Sequence, residues 1–425
     1  MSGLLGSLQS ARSGMSVSQA SIQTTSHNIN NLNTPGYSRQ KVEQKARSAY
    51  SYPGYNSELG AGQLGTGVEA TDIVRVRNSF YDFQFRNESH TYGKIGVKYD
   101  HYSTMETIFN EPSETGISSS ISNFFMSWQS LSKNPNDAGS KDIVIQNSDY
   151  LAKNISNVYK KLNELSENAK KKLNENIDDI NGMLKELKDL DKQIKLVEGS
   201  GKSPNDLLDE RDRILDDLSF KMNINDENVQ KLIKDKIANG EDITQEDIKN
   251  IPNISGEIQG SLEMLSKIDV YKKDLEELAE GIKKSVNDTL GIELFESGTD
   301  SILKVKDDIL DKTTDLNITA ETAQKMYKLK DEKVSIGKED ITINNFYNSI
   351  IQRLGNETQE VKRNEKNQSK VLKDIDNSRL NVSGVSLDEE MINLIQFQHA
   401  YNASAKVVAT IDSLLDVVIN GLVRR

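Results

Sequence analysis

Cysteine is absent from this 425-residue chain, which excludes disulfides and thiolate chemistry. A cysteine-free chain suits a cytosolic protein, and equally one exported by a route that avoids oxidative folding. Proline is scarce, with six residues, and tryptophan occurs once. Hydrophobic residues make up 35% of the chain against 28% charged. That balance suits long helices with thin apolar seams better than a thick globular interior. No uninterrupted apolar run reaches the roughly eighteen residues of a membrane span. Residues 1–30 are rich in Ser, Asn and Gln and lack the apolar block of a cleavable signal peptide. A net charge of −12 and a pI near 5.1 disfavour a nucleic-acid partner. The lysine run Lys170–Lys172 has acids on both sides and reads as a solvated helix face.

What the chain does have is an apolar step of seven residues at each end. Leu8, Met15, Ile22 and Ile29 form one row, with Leu4, Ala11 and Leu32 offset by three or four. Leu387, Leu394, Tyr401, Val408, Leu415 and Leu422 form the other, flanked by Phe397, Ile411 and Val418. A seven-residue repeat underwinds two helices about each other and keeps the seam facing its partner. The two termini are therefore expected to pair as a coiled coil, with the rest of the chain hung from the pair.

Between these ends the expected organisation is mainly helical. The first helix starts near Ser2 and stops before Asn33-Thr34-Pro35-Gly36, where Pro removes a donor and Gly tolerates left-handed angles. Residues 45–70, including Gly60-Ala61-Gly62 and Gly65-Thr66-Gly67, read as extended structure leading into a strand at Val68–Val74. Helices follow at 78–110, with Phe80, Phe83 and Tyr92 among its apolar positions, and at 117–131. A long helix spans 138–197, along the row Leu151, Ile155, Val158, Leu162, Leu165, Ala169, Leu173, Ile177, Ile180, Leu184 and Leu187. Steps of four in the middle of that row depart from the 3–4 alternation. Ser203-Pro204 restarts a helix, with Ser as N-cap. Residues 219–258 are the least periodic and are expected to form a loop-rich insertion. Helix returns at 261–290, short strands are expected within 299–320, and a polar helix runs from Phe346 to about Ile375. Ser386-Leu387-Asp388-Glu389 opens the last helix with a capping box. The expected division is a terminal coiled-coil domain, 1–45 with 385–425, and a helical body, 46–384, with small insertions near 219–258 and 295–340.

Catalytic and metal-binding motifs are missing. The glycines at 60–67 lack a following Lys-Ser/Thr and precede a strand, so a phosphate loop does not fit. Asp206, Asp209, Glu210 and Asp212 lie on a helix without the turn glycine of a calcium loop, and read as an exposed face. His27, His90, His101 and His399 are scattered, without metal-ligand spacing. No nucleophile elbow or Ser/His/Asp arrangement can be assembled. An enzyme is not expected, nor is a cofactor or a metal.

Four stretches carry a resemblance. Ser26-His27-Asn28-Ile29-Asn30-Asn31-Leu32-Asn33-Thr34-Pro35-Gly36-Tyr37 resembles the N-terminal signature of bacterial flagellar rod, hook and hook-associated proteins, with Asn28, Asn31, Pro35, Gly36, Tyr37 and Arg39 as its marks. Its continuation through Ser38-Arg39-Gln40 is similar to the version in the hook-associated protein 1 family. Ser203-Pro204-Asn205-Asp206-Leu207-Leu208-Asp209-Glu210-Arg211-Asp212 and Gly256-Glu257-Ile258-Gln259-Gly260-Ser261-Leu262 resemble segments of that family. Gly384-Val385-Ser386-Leu387-Asp388-Glu389-Glu390 through Gln398-His399-Ala400-Tyr401 resembles its C-terminal signature.

The resemblance implies a structural subunit of the hook–filament junction, with the terminal pair forming an inner tube. It implies self-assembly into a ring, contact with hook protein and with the second junction protein, and passage through the flagellar export apparatus without a cleaved signal. It further implies a cytosolic export chaperone on the C-terminal helix, reading Leu394, Phe397, Tyr401, Val408 and Ile411. The outer β domain of longer members is expected to be reduced or absent. A hook or distal-rod protein is the alternative within the class, but more strands would be expected in its middle. A cytosolic coiled-coil scaffold would leave the Asn-rich break at 26–37 unexplained.

Overall fold

The computed structural model describes residues 2–48, 65–298, 301–311 and 318–420. Helix α1 (Ser2–Asn30) ends three residues before the Asn33-Thr34-Pro35-Gly36 break. Strands β1 (Gln40–Ala46) and β2 (Val68–Arg75) then form an antiparallel ribbon, with Gln40 opposite Arg75 and an irregularity between Glu43 and Gln44. Only the second strand was legible. Its partner is mostly exposed polar residues, with Val42 as the buried exception. Of the glycine-rich stretch, Gly60-Ala61-Gly62 lies outside the described residues.

The body is built on α2 (Ser79–Phe109), α3 (Ile117–Lys133), α4 (Ala138–Gly199), α5 (Asn205–Lys221) and α8 (Gly256–Leu290). Asn78 caps α2 by accepting from Phe80 N, and Asp137 caps α4 by accepting from Ser140 N. Ile117, Ile121, Phe124, Phe125, Trp128 and Leu131 are all buried, as the spacing of α3 predicts. Phe80 and Phe83, expected among the apolar positions of α2, are exposed, and its buried aromatics are Phe85, Tyr102 and Phe109. Ser203 does not cap α5: its hydroxyl donates to Asp72, and Pro204 takes the cap position.

Residues 219–258 are a correction. They are not loop-rich but carry α6 (Glu227–Asn239) and α7 (Gln245–Lys249), the latter closed by a Thr244/Asp247 capping box. In α6 the residues Val229, Leu232, Ile233 and Ile237 stand at helical spacing and join a core with α4, and α7 adds Ile248 to it. After α8 the chain forms β3 (Phe295–Glu296), β4 (Lys304–Val305), α9 (Asp307–Leu310), α10 (Ala320–Lys328) and the hairpin of β5 (Val334–Ile336) and β6 (Glu339–Ile341). This small insertion stands where longer members were expected to carry an outer domain. Helices α11 (Ile343–Ser383) and α12 (Leu387–Asn420) complete the fold, broken at Gly384.

Two cores lie end to end along the body. One gathers Trp128, Phe124, Tyr271, Phe295 and Tyr347 around α3, α8 and the insertion, and the other gathers Ile180, Leu218, Met222, Ile248 and Ile258. The single apolar row of α4 serves the first core through Ala169 and the second from Leu173. The change of partner falls inside the run of four-residue steps, where the seam must rotate. Helices α2 and α8 approach closely because Gly260 has no side chain: a Cβ there would stand 2.7 Å from Lys94 O.

Candidate assembly interface

Helix α1 packs against α12 on one side and against the β1–β2 ribbon on another. The ribbon side is polar. Ser13, Val17, Ser21, Thr24 and Asn28 follow helical spacing and are buried, and Ser13 Oγ accepts from Val68 N at 3.1 Å. Toward α12 the contact is close at Gly14, where a Cβ would stand 3.2 Å from Ser404 Oγ. The heptad residues Leu8, Met15, Ile22 and Ile29 are half-buried.

On α12, Ile411 is buried, and Leu394, Phe397, Tyr401, Val408 and Leu415 are half-buried. Leu387 is 46% exposed, and Leu422 lies outside the described residues. The remaining surface of α12 exposes Met391, Ile395, Val407, Leu414 and Val417. These apolar residues lie on sides of the helix that α1 does not cover, between exposed polar ones such as Asn402, Lys406, Ser413 and Asp416. Apolar side chains left exposed on several sides of one helix call for further partners.

The signature residues converge on one buried amide. Asn28 Nδ2 donates to Gln40 O (2.9 Å) and Glu390 Oε2 (3.0 Å), and Asn28 Oδ1 accepts from Tyr37 OH (2.7 Å) and Gln40 N (2.9 Å). All four hydrogen-bonding positions of the amide are used. Tyr37 also meets His27 edge to face at 5.5 Å. Burial pushes the Tyr37 hydroxyl pKa up, and the charges of Asp206, Asp209 and Glu390 add to the shift, so it stays a donor. Arg39 N donates to Ser383 O (2.8 Å), and Arg39 Nη1 to Glu389 Oε2 (3.1 Å). Asn31 Nδ2 donates to His27 O at 3.0 Å, holding the end of α1, and Gly36, beyond Pro35, turns with φ +80° beside Arg213.

A second polar cluster fastens the ribbon to the body. Arg75 Nη1 reaches Asp209 Oδ1 and Asp212 Oδ2, each at 2.8 Å, and Arg86 spans Asp212 (3.0 Å) and Asp216 (2.7 Å). Arg77 grips Asp82 with two bonds of 2.7 and 3.0 Å. Arg379, from α11, bonds Asp216 at 2.5 Å and stacks over Phe85 at 4.0 Å. Burial pushes the Asp212 carboxyl pKa up, but the Arg77 charge and hydrogen bonds from Arg75 and Arg86 outweigh it, so it lies below the usual carboxylate range.

Of the acids expected on an exposed face, Asp206 is exposed and Glu210 half-exposed, whereas Asp209 and Asp212 are a correction. Asp209 and Asp212 are enclosed by arginines, and Asp209 Oδ2 also accepts from Ser38 N at 2.9 Å. Alternating acids on a helix were visible in the sequence. The arginines that neutralise them come from segments more than a hundred residues away.

Comparison with known proteins follows the same map. Residues 102–243 match the family model described as flagellar hook-associated protein FlgK helical domain. Residues 8–37 match that of flagella basal body rod protein, and 376–421 that of flagellar basal body rod FlgEFG protein C-terminal. The chain is thus a structural protein of the bacterial flagellum. It is 31% identical to flagellar hook-associated protein 1 of Bacillus subtilis over 98% of both chains, and it belongs to the flagellar hook-associated protein 1 family. It is 29% identical to flagellar hook-associated protein 1 of Salmonella typhimurium over 49% of its own length and 37% of that protein. The solved structure of the flagellar hook junction protein FlgK from Burkholderia pseudomallei shares 17% identity at a TM-score of 0.39, covering 51% of this chain and 47% of that one.

Proposed function

We propose that this chain forms a ring at the hook–filament junction, docking through α1 and α12 so that they line an inner tube with the body outside. The observation that carries this reading is the set of apolar residues that α12 leaves exposed, Met391, Ile395, Val407 and Leu414, beside a partner helix that covers one side. Neighbouring copies would bury that surface, and each buried Å² of apolar area contributes about 25 cal/mol. The interface residues are Leu8, Met15, Ile22, Ile29, Leu394, Phe397, Tyr401, Val408, Ile411 and Leu415, with Leu387 and Leu422 at its ends. Hook protein below and the second junction protein above are the axial partners.

Export is proposed to run through the flagellar apparatus, with the chain unfolded and no segment cleaved. A cytosolic chaperone would hold α12 before α1 docks, by laying its apolar stripe in a groove. Removing the chain after Val385 should abolish chaperone binding by calorimetry and leave the body folded. Undiminished affinity would show that the chaperone reads another surface. The junction reading is tested by locating the protein in sheared flagella against cytosol. Recovery in the cytosolic fraction alone would overturn it.

A further inference from the structure

The chain carries a net charge of −12, yet the solvent side of α11 is basic. Lys362, Arg363, Lys366, Lys370 and Lys373 recur there at helical spacing, and all five are exposed. Ile350, Leu354, Thr358 and Leu372 are buried on the opposite side, toward α2 and α8. Among the described residues none of the five is in an ion pair, whereas Arg353 and Arg379 of the same helix pair with Asp274 and Asp216. Like charges four residues apart disfavour the helix that bears them. A surface of opposite charge would remove that disadvantage.

Such a surface exists on this chain. Between Glu175 and Glu186 the solvent side of α4 carries Glu175, Asp178, Asp179 and Glu186, exposed and opposite the buried Ile177, Ile180 and Leu184, with Lys185 the one lysine in that stretch. Of these acids Glu175 pairs with Lys171 at 3.6 Å and Asp179 with Lys221 at 3.0 Å. The stretch from Glu175 to Glu186 and that from Lys362 to Lys373 have the same length, about 16 Å at the helical rise. Within one molecule α11 packs mainly on α2 and α4 mainly on α3 and α8, and both stripes face solvent.

We propose that the basic stripe of α11 docks on the acidic stripe of α4 in the next copy of this chain. The contact joins two different faces, so it is head-to-tail, the kind of interface that propagates around a ring or along a helical tier. It is continuous with the terminal interface, because α11 runs into α12 across Ser383 and Gly384. An exposed charged contact sets orientation and register, while the apolar terminal helices supply most of the affinity. The inference rests on the proposed axial assembly.

The absence of cysteine gives a clean background for the test. A full-length chain with Lys366→Cys and Asp178→Cys, treated with a short bismaleimide in sheared flagella, should give a ladder of linked multimers that neither single variant gives. In parallel, Lys366→Glu with Lys370→Glu should lower the protein recovered in flagella about tenfold, and adding Glu175→Lys with Asp178→Lys should restore it. Wild-type protein missing from sheared flagella would overturn the axial assembly, and this contact with it. Wild-type protein present there, with no ladder from the paired cysteines and no loss on charge reversal, would overturn the contact alone.

Discussion

Asn28 Nδ2 donates to Glu390 Oε2 at 3.0 Å, joining positions 362 residues apart inside the seam between α1 and α12. The carboxylate is buried, and the same amide holds Tyr37 and the backbone of Gln40. A heptad seam of half-buried aliphatics tolerates slippage by one repeat. A single amide with every hydrogen-bonding position occupied does not, because any other register leaves Glu390 buried without a donor.

Asn28→Ala should therefore loosen the terminal pair by about 3 kcal/mol, the range for leaving a buried charged acceptor unsatisfied. Hydrogen exchange should show α1 and α12 losing protection together while α4 keeps its own. Unchanged exchange in α12 would show that the amide is not the register pin.

Ile411 and Leu414 separate two roles of α12. Ile411 is 5% exposed against the pair, and Leu414 is 48% exposed on another side. Ile411→Asp should melt the pair within the monomer, at about 3 kcal/mol or more for a buried charge. Leu414→Asp should leave the monomer intact and prevent incorporation into flagella. Normal incorporation of the Leu414 variant would remove that side of the helix from the inner tube.

Protease applied to freshly purified monomer should remove α1 and α12 first and spare α2 through α11. The terminal pair has a thin seam, backed on the α1 side by a polar two-stranded ribbon and on the α12 side by nothing among the described residues, whereas the body has two closed cores. Mass spectrometry of the limit fragment reads the outcome, and protection of both ends at low concentration would count against it.

Acid should weaken the contact of α2 with α8 through Glu263. Burial pushes its carboxyl pKa up, but hydrogen bonds from Lys94 and Lys98 prevail and hold it at about 2. A carboxyl whose folded pKa is depressed stabilises the fold above its unfolded pKa, near 4.3. That contribution fades as pH falls from there through about 2. Glu263→Gln should be less stable than the parent at neutral pH and should close the gap across that window. A gap independent of pH, measured by denaturant titration, would assign the difference to packing.

Much of the helical frame was legible in the sequence, because apolar periodicity is a local property. The buried rows of α3 and α4, the break at Asn33-Thr34-Pro35-Gly36 and the restart at Leu387 follow from spacing, proline and glycine alone. The family signature around Asn28 was legible too, as a pattern without a mechanism. Tertiary structure decided where polar groups go. Ser13, Ser21 and Asn28 are buried because the ribbon that follows the helix folds back to supply their partners, and Asp209 is buried and Asp212 largely enclosed because Arg75, Arg77 and Arg86 surround them. A polar residue is enclosed only when its partner is supplied, and that partner lies beyond the reach of any local pattern.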